Sequence, residues 1–303
     1  MSSSARAARI VIFTDEPGWH GAQLKAWFAA HGAQAEYVSL MDCHVDLQAS
    51  AAGLMLGPCG AALPDGVFVR GIPGGSLEAI TLRLDILHSL AALGVSVINS
   101  ARTIERTVDK GMTSLLLHKH GVPTPETFVS ESLERTRAYV EATLTRGVSL
   151  VKKPLFGSQG RGLRRVRSMS DLAYLLPGEV CYLQHFVAGD GAPYRDYRVM
   201  VVEGCAVAAM ERVSDHWITN RAQGASCHAL PLDEELAHWA QAAAQAVDAD
   251  YAGVDLLRAV DGRWLVTEVN GIPAWQGLQF ATDIDITAQL ASACLRRIEA
   301  ARS

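Results

Sequence analysis

Two carboxylates and one carboxamide near the end of the chain have a spacing that suits a divalent cation. Asp255 lies in one apolar segment, and Glu268 and Asn270 lie two positions apart in the next. Residues two apart on a β-strand point to the same face, so a neighbouring strand that carries Asp255 would bring the three oxygen groups together. Oxygen ligands without His or Cys favour Mg²⁺ over zinc, and protein-bound Mg²⁺ usually takes further ligands from substrate phosphates. The pattern therefore predicts a magnesium site that serves a nucleotide.

A glycine-rich segment upstream is suited to cover phosphates. Residues 157–162 contain three glycines between two predicted strands, 149–153 and 163–167. Glycine allows positive φ angles and close backbone approach, so that N–H groups of the loop can converge on an anion. The spacing is neither a Walker loop nor a dinucleotide fingerprint, and such a loop alone is often a simple turn. Lys153 directly before it favours the phosphate interpretation, because an ammonium on a strand can reach α or β phosphates.

A third candidate site lies in the first hundred residues. Arg70 follows a short apolar strand, and Gly75 and Ser76 stand at the start of a predicted helix. A guanidinium beside a helix N-terminus can bind an anionic group of a substrate. An ordinary helix with Ser76 as its N-cap explains the same residues equally well.

The composition indicates a globular protein of enzyme size. The chain has 303 residues and 32.5 kDa, of which 49% are hydrophobic and 19% charged, and this excludes a disordered chain. A net charge of -5 and a pI near 6.1 provide no basic field that would favour nucleic acid or an anionic membrane. The six cysteines form no Cys-x-x-Cys pair, and the N-terminus lacks a signal-like apolar segment, so we expect buried free thiols and a cytoplasmic protein.

The elements that must position these residues form an α/β unit followed by α+β units. Alternating strands and helices in residues 1–100 predict an open parallel sheet wrapped by helices. Residues 101–184 and 185–303 form the α+β remainder. The predicted strands are residues 9–14, 36–40, 67–69, 95–99, 149–153, 163–167, 197–202 and 205–211, and the predicted helices are residues 21–30, 77–93, 103–121 and 233–248.

In their order along the chain, these features resemble the ATP-grasp superfamily and, more narrowly, the RimK-like ligases. Lys110 on a helix, Lys153 before Gly-x-x-Gly-x-Gly, a hinge at 184–187 and the Asp, Glu and Asn set fall between about Ser100 and Gln289. The resemblance implies an ATP-grasp fold behind an N-terminal pre-ATP-grasp domain. It also implies that ATP lies between the two α+β subdomains.

The resemblance assigns roles to single residues. Asp255, Glu268 and Asn270 would hold Mg²⁺ or Mn²⁺, while Arg212, Asn220 and Lys153 would act on the transferring phosphoryl and acyl groups. The hinge would take the adenine through its backbone, and Asp196 would lie near the ribose. The residues implied in nucleotide binding are Lys110, Lys153, Gly157, Ser158, Gly160, Gly162, Gln184, His185, Phe186, Val187, Asp196 and Arg198.

The implied activity is ATP-dependent joining of a carboxylate to an amine through an acyl phosphate. The resemblance favours L-glutamate as the amine and, as the acceptor, a pterin or furan cofactor or a protein C-terminus. Arg70, Gly75 and Ser76 are the candidate acceptor contacts, and a homodimer or homotetramer is expected. The segment after Asn270 is similar to the branch that acts on pterin cofactors such as tetrahydromethanopterin.

Departures from the family pattern limit what can be carried over. Ile218 replaces an arginine that is usual before Thr-Asn, residues 222–225 replace a His-Arg-Gly-Gly stretch, and His185 replaces the usual glutamate of the hinge. Contacts to substrate carboxylates therefore cannot be transferred from those positions. Two alternatives stay open: an ATP-binding regulator or scaffold without turnover, and a phosphotransferase whose product would be a stable phosphorylated compound.

Overall fold

The computed structural model describes residues 6–157, 160–173, 178–187 and 191–302. Its first unit is built around a parallel sheet of four strands in the order β2-β1-β5-β6. A small antiparallel hairpin, β3–β4, occupies part of a Gly, Ala and Pro-rich stretch where no strand was predicted. The elements of this unit are β1 (Arg9–Phe13), α1 (Gly18–Ala30), β2 (Gln34–Val38), β3 (Cys43–Val45), β4 (Leu54–Leu56), β5 (Gly66–Val69), α2 (Leu77–Ala92) and β6 (Ser96–Ile98).

Strand β1 shows why this sheet is parallel and covered on both faces. Ile10 and Ile12 pack into one hydrophobic cluster, whereas Val11 and Phe13 pack into another on the opposite face. A strand that is buried on both faces requires a continuous apolar run rather than alternation, and parallel sheets have this pattern. The predicted α/β unit is therefore confirmed.

The middle unit consists of an antiparallel sheet in the order β7-β10-β8-β9 with helices beside it. The single helix predicted over residues 103–121 is wrong, because the chain forms two helices that meet at Asp109. Asp109 is extended, with φ -84° and ψ 102°, and its side chain accepts a hydrogen bond from Met112 N at 3.0 Å, which starts the second helix. The elements are α3 (Ala101–Val108), α4 (Lys110–Lys119), β7 (Thr127–Ser130), α5 (Leu133–Thr145), β8 (Leu150–Lys153), β9 (Arg164–Val166) and β10 (Cys181–His185).

The third unit contains an antiparallel sheet in the order β13-β12-β11-β14-β15. Its strands β11 and β12 are longer than predicted, and β13 was not expected from the sequence. The elements are β11 (Tyr194–Val202), β12 (Cys205–Ser214), β13 (Ser226–Leu230), α6 (Glu234–Ala246), β14 (Tyr251–Arg258), β15 (Trp264–Asn270), α7 (Gln276–Ala281) and α8 (Ile286–Arg302).

Asn99 connects the first unit to the third. Its buried amide donates to Tyr251 O at 2.8 Å and to Gly271 O at 2.6 Å. Its oxygen accepts from Asp250 N at 2.7 Å and from Tyr251 N at 3.2 Å. These bonds satisfy the side chain completely and fix the start of β14 beside the end of β15.

The last helix returns to the first sheet. Leu290, Cys294 and Ile298 of α8 share one hydrophobic cluster with Ile10 and Phe68. Within the described residues, no helix is long and apolar enough to cross a membrane. The expectation of buried thiols holds for Cys43, Cys181 and Cys294, whereas Cys205 is exposed because it starts β12 beside a turn.

Candidate active site

Strands β14 and β15 bring the predicted carboxylates and carboxamide together. Asp255 pairs with Glu268 across the two strands, and Gly253 pairs with Asn270. The amide of Asn270 donates to Gly253 O at 3.1 Å and contacts Asp255 Oδ2 at 3.4 Å. Because the Nδ2 atom makes these contacts, the side-chain oxygen of Asn270 is left to act as a ligand.

Asp255 is also the centre of an arginine network that the sequence did not reveal. Arg198 donates to its two oxygens at 2.5 and 2.7 Å, and Arg212 lies 2.9 Å from Oδ1. Burial alone would raise the pKa of Asp255, but Arg198 and Arg212 outweigh it and lower the pKa to about 2. Asp255 is therefore a carboxylate throughout the physiological range.

Asp196 shares Arg212 with Asp255. Arg212 donates to Asp196 at 2.5 and 2.8 Å, and the Thr219 hydroxyl donates at 2.5 Å. Burial raises the pKa of Asp196, as does the Asp255 carboxylate, while Arg212 opposes them. The oxygens of Asp196 are thus engaged by the protein, so its role near a ribose stays a prediction.

Two lysines face Glu268 from the middle unit. Lys110, the first residue of α4, donates to Gly157 O at 2.7 Å and lies 3.6 Å from Glu268 Oε1. Lys153 ends β8 and forms no ion pair with a carboxylate of the described residues. Burial lowers the pKa of Lys153, although Glu268 raises it and Lys110 lowers it further. An anion such as phosphate would restore a partner to this ammonium.

The glycine-rich loop approaches Asn220. Gly160 has a φ of 71°, and a Cβ at this position would lie 2.5 Å from Asn220 Oδ1 and 2.7 Å from Ile218 Cγ2. Only glycine fits such a close approach in this conformation. Gly157 and Gly162 flank the loop, whereas Ser158 lies outside the described residues.

A cavity of about 120 Å³ lies between the middle and third units, in the place where a nucleotide is expected. Arg165 stacks on Phe186 at 3.7 Å, and Trp217 meets the same ring edge-on. Sequence reasoning missed these neighbours because they come from segments that lie far apart in the chain. The cavity is lined by residues that include Lys153, Gln184, His185, Phe186, Val187, Asp196, Arg212, Asn220, Asp255 and Glu268.

The hinge has a more restricted backbone than expected. His185 N donates to Glu126 O at 2.8 Å, and Phe186 N donates to Ser149 O at 2.9 Å. The side chain of Gln184 donates to Thr127 and so braces the strand. These two N–H groups are therefore not free for adenine, and adenine binding at the hinge stays a prediction.

A second cavity, of about 510 Å³, borders the first cavity. It shares Arg212, Asn220 and Glu268 with the first cavity. Its other lining residues include Arg70, Arg198, Arg221, Asn270, Pro273, Ala274 and Gly277.

Only one of the three predicted acceptor contacts reaches this cavity. Arg70 donates to Pro273 O at 3.0 Å and lies over the Trp275 ring at 4.8 Å. Ser76 instead caps α2 by accepting from Ala79 N at 3.3 Å. Gly75 is exposed, and a Cβ added there would lie 3.1 Å from Arg83 Nη1. The cap favours an ordinary helix N-terminus at this place, and acceptor contacts at Gly75 and Ser76 stay a prediction.

His20 stabilises one wall of the second cavity. Its Nε2 accepts from Trp275 N at 3.1 Å and from Gln276 N at 3.2 Å. Burial lowers the pKa of His20 to about 4, and Arg70 and Arg221 contribute to the shift. The neutral imidazole that these two acceptor bonds require is thus the stable form at neutral pH.

The donor set fits magnesium in its chemistry. Among the described residues, no group of three His, Cys, Asp or Glu side chains is placed to hold a metal. Asp255, Glu268 and Asn270 provide two carboxylates and one amide oxygen, and such a set leaves further ligand positions to phosphates and water. The four contacts to Asp255 from arginine and amide nitrogens must partly give way when an ion binds there.

A third and wider groove, of about 760 Å³, runs beside α4 and β7. The described residues that line it include Met112, Leu115 and Val129 but neither lysine nor arginine. It provides no cation for a phosphate or carboxylate, so the chemistry belongs to the two smaller cavities.

Comparisons with known proteins agree with this geometry. Residues 107–294 match the model of the RimK-like ATP-grasp domain. The chain is 39% identical over 230 residues to a tetrahydromethanopterin:alpha-L-glutamate ligase of Methanococcus maripaludis, covering 74% of this chain and 76% of that protein. It is 32% identical over 194 residues to the alpha-aminoadipate–LysW ligase LysX of Saccharolobus solfataricus, covering 61% and 68%.

Solved structures show the same fold. The ATP-grasp ligase PsnB, in complex with a phosphomimetic variant of its minimal precursor, Mg and ADP, superimposes with a TM-score of 0.75. The match covers 97% of this chain and 99% of PsnB at 20% identity. At this identity the likeness concerns the fold alone.

Proposed function

The chain belongs to the RimK-like ATP-grasp family, and from this premise we propose that it joins L-glutamate to a carboxylate acceptor with hydrolysis of ATP. The observation that carries the proposal is the meeting of two cavities at Arg212, Asn220 and Glu268. One cavity provides Lys153 for a triphosphate, with Lys110 beside Glu268 at its border, and the other cavity provides arginines for carboxylates. A γ-phosphate and a carboxylate would therefore meet where the cavities join.

The nucleotide would lie in the cavity beside the hinge. Lys153 would bind its α or β phosphate, and Lys110 would bind from the start of α4, close to the glycine-rich loop. Asp255, Glu268 and Asn270 would hold magnesium, which supplies charge neutralisation and polarises phosphoryl oxygens when bound. Neutralising this charge is the main task in phosphoryl transfer, because the protein contributes little covalent chemistry.

In the proposed reaction, an oxygen of the acceptor carboxylate attacks the γ-phosphorus, and the bond from that phosphorus to the bridging oxygen of ADP breaks. The amine of glutamate then attacks the carbonyl carbon of the acyl phosphate, and phosphate leaves with its electron pair while the amine loses a proton. Arg212 and Asn220 line both cavities and would stabilise the anionic oxygens that develop in the two steps. No Ser or Cys nucleophile is required.

Arg198 and Arg212 have a second task in this proposal. Without a nucleotide they serve as counter-ions for Asp255 and Asp196. With phosphates and magnesium bound, Asp255 would hold the metal in place of part of its arginine contacts, and Arg198 and Arg212 would then be able to donate to phosphoryl oxygens. The network thus keeps the site charge-balanced in both states.

Relatives suggest the class of acceptor. The Methanococcus maripaludis relative is named for tetrahydromethanopterin, and a second relative from that organism, 27% identical over 228 residues, is named for coenzyme gamma-F420-2. Both names specify the addition of alpha-L-glutamate. We therefore propose as the acceptor a small carboxylated cofactor of the pterin or coenzyme F420 kind ahead of a protein C-terminus, and we propose that the reaction is cytoplasmic.

A product screen tests the proposal. The protein is incubated with MgATP, L-glutamate and a panel of carboxylated cofactors, and the products are identified by mass spectrometry while phosphate release is measured. We expect an amide product and phosphate in equal amounts, and neither when the acceptor or the amine is omitted. ATP binding without turnover across the panel would favour a regulator, and a stable phosphorylated acceptor would favour a phosphotransferase.

A further inference from the structure

The second cavity carries more positive charge than its own carboxylates neutralise. Four arginines line it, of which Arg198 and Arg212 are paired with Asp255 and Asp196. The other two form no ion pair with any carboxylate in the described part of the chain; they are Arg70 and Arg221. The cavity therefore has two guanidinium groups whose counter-ions must come from outside.

Both of these arginines are positioned by the segment that follows the metal-site strand. The Nη1 atom of Arg70 donates to Pro273 O at 3.0 Å, and the guanidinium also hydrogen-bonds the Tyr251 side chain, so only its remaining N–H groups can reach a further acceptor. Arg221 donates to the side chain of Gln276 at 3.3 Å. Its stem packs on Gly277, where a Cβ would lie 3.0 Å from Arg221 Cδ.

The segment that holds the two arginines is itself fixed by hydrogen bonds and by the burial of Trp275. His20 accepts from the backbone N–H groups of Trp275 and Gln276, and Arg70 stacks on Trp275. The Trp275 indole donates to Thr287 at 3.0 Å and is fully buried. A pair of guanidiniums on such a segment is preorganised for one anionic group.

We propose that Arg70 and Arg221 together bind a second, non-reacting carboxylate of the acceptor, so that the acceptor is a dicarboxylate at its reacting end. The proposal rests on the proposed ligase function and names the substrate class of that site. A reacting carboxylate cannot anchor itself, because one of its oxygens becomes bonded to phosphorus and then leaves. A second carboxylate stays unchanged through both steps and can hold the carbonyl carbon in place for the amine.

Calorimetry with defined probes tests this assignment. N-benzoyl-L-glutamate provides two carboxylates, and each of its two monoamides, N-benzoyl-L-glutamine and N-benzoyl-L-isoglutamine, provides one. Titrated into wild-type protein with MgADP, the diacid should bind roughly tenfold or more tightly than either monoamide, as expected for hydrogen bonds to a charged group. Arg221→Met should reduce this preference to within about twofold, because one arm of the pair is lost.

Three further variants make the result specific. Arg263→Met removes the same charge from an exposed hairpin, where Arg263 pairs with Asp261, and it should retain the wild-type preference. Arg70→Met should match Arg221→Met; Arg221 is exposed, so its variant decides the matter if Arg70→Met fails to fold. Arg221→Lys should recover part of the preference, since the charge remains but the bidentate geometry is lost.

Several results would overturn the proposal. The wild type could show no preference for the diacid, or it could bind none of the three probes. The Arg221→Met variant could also keep the wild-type preference. If Arg221→Met and Arg70→Met weaken only the binding of free L-glutamate, the pair belongs to the amine substrate, and this result would also overturn the proposal. Because calorimetry needs no turnover, a diacid preference without any amide product would contradict the ligase function and leave the arginine pair supported.

Discussion

Replacing Lys153 by methionine should have opposite effects on the free protein and on nucleotide binding. In the structure the Lys153 ammonium is buried and has no ion-pair partner among the described residues, and burial lowers its pKa. Its charge is therefore a cost to the nucleotide-free fold, and Lys153→Met should leave the free energy of unfolding unchanged or raise it. A hydrogen bond from an ammonium to phosphate contributes about 1.5–3 kcal/mol, so the Kd for MgADP should rise roughly 10- to 150-fold.

The neighbouring residue provides a matched control. Lys152 points to the other face of β8, where its Nζ lies 2.6 Å from Glu179 Oε1. Lys152→Met should leave the Kd for MgADP unchanged. Titration calorimetry gives the affinities, and thermal unfolding without nucleotide gives the stabilities. The reasoning is refuted if Lys153→Met binds MgADP as tightly as the wild type does, or if both variants weaken binding equally.

Three further predictions concern the arginine network, His20 and the metal site. Arg212→Met leaves two buried carboxylates without their shared partner and should lower the free energy of unfolding by about 3–5 kcal/mol in urea titration. Arg195 forms an exposed pair with Glu211, so Arg195→Met should have a much smaller effect, and similar losses for the two variants would contradict the buried pairing. The pKa of His20 is about 4 in the fold and 6.5 when unfolded, so the unfolded chain binds the proton first as pH falls. The stability that this residue contributes is fully present above pH 6.5 and is lost as the pH falls towards 4, by about 1–2 kcal/mol after allowance for solvent screening. If the free energy of unfolding of His20→Gln falls with pH as steeply as that of the wild type, the assignment to His20 is wrong. Glu268→Gln should abolish Mg²⁺-dependent phosphate release while thermal unfolding stays near that of the wild type, and unaltered magnesium dependence would exclude Glu268 as a ligand.

The sequence predicted the residues whose positions follow from local periodicity. Glu268 and Asn270 lie on one face of β15 because residues two apart on a strand share a face, and Asp255 pairs with Glu268 on the next strand. The apolar run of β1 similarly predicted a strand buried on both faces. The family resemblance provided the order of the lysines and the loop.

Other features depend on contacts between distant segments and could not be read from spacing. Asp255 pairs with Arg198 from a strand 57 positions away, and no local pattern indicates that this carboxylate is bound by arginine. Asn99 and His20 fix the walls of the site through backbone groups more than 150 positions away. The helix break at Asp109 did have a local signal, since Asp is a good N-cap, but the apolar periodicity on both sides of it favoured one long helix.

Oxygen transfer from the acceptor tests the central claim most directly. The acceptor identified in the product screen is labelled with ¹⁸O in its reacting carboxylate and turned over with MgATP and L-glutamate. The phosphate released is then analysed by mass spectrometry. Passage through an acyl phosphate requires that each phosphate carry a single labelled oxygen, because that oxygen leaves with phosphorus when the amine attacks. Amide formation with unlabelled phosphate would contradict phosphorylation of the carboxylate and with it the chemistry assigned to the junction of the two cavities.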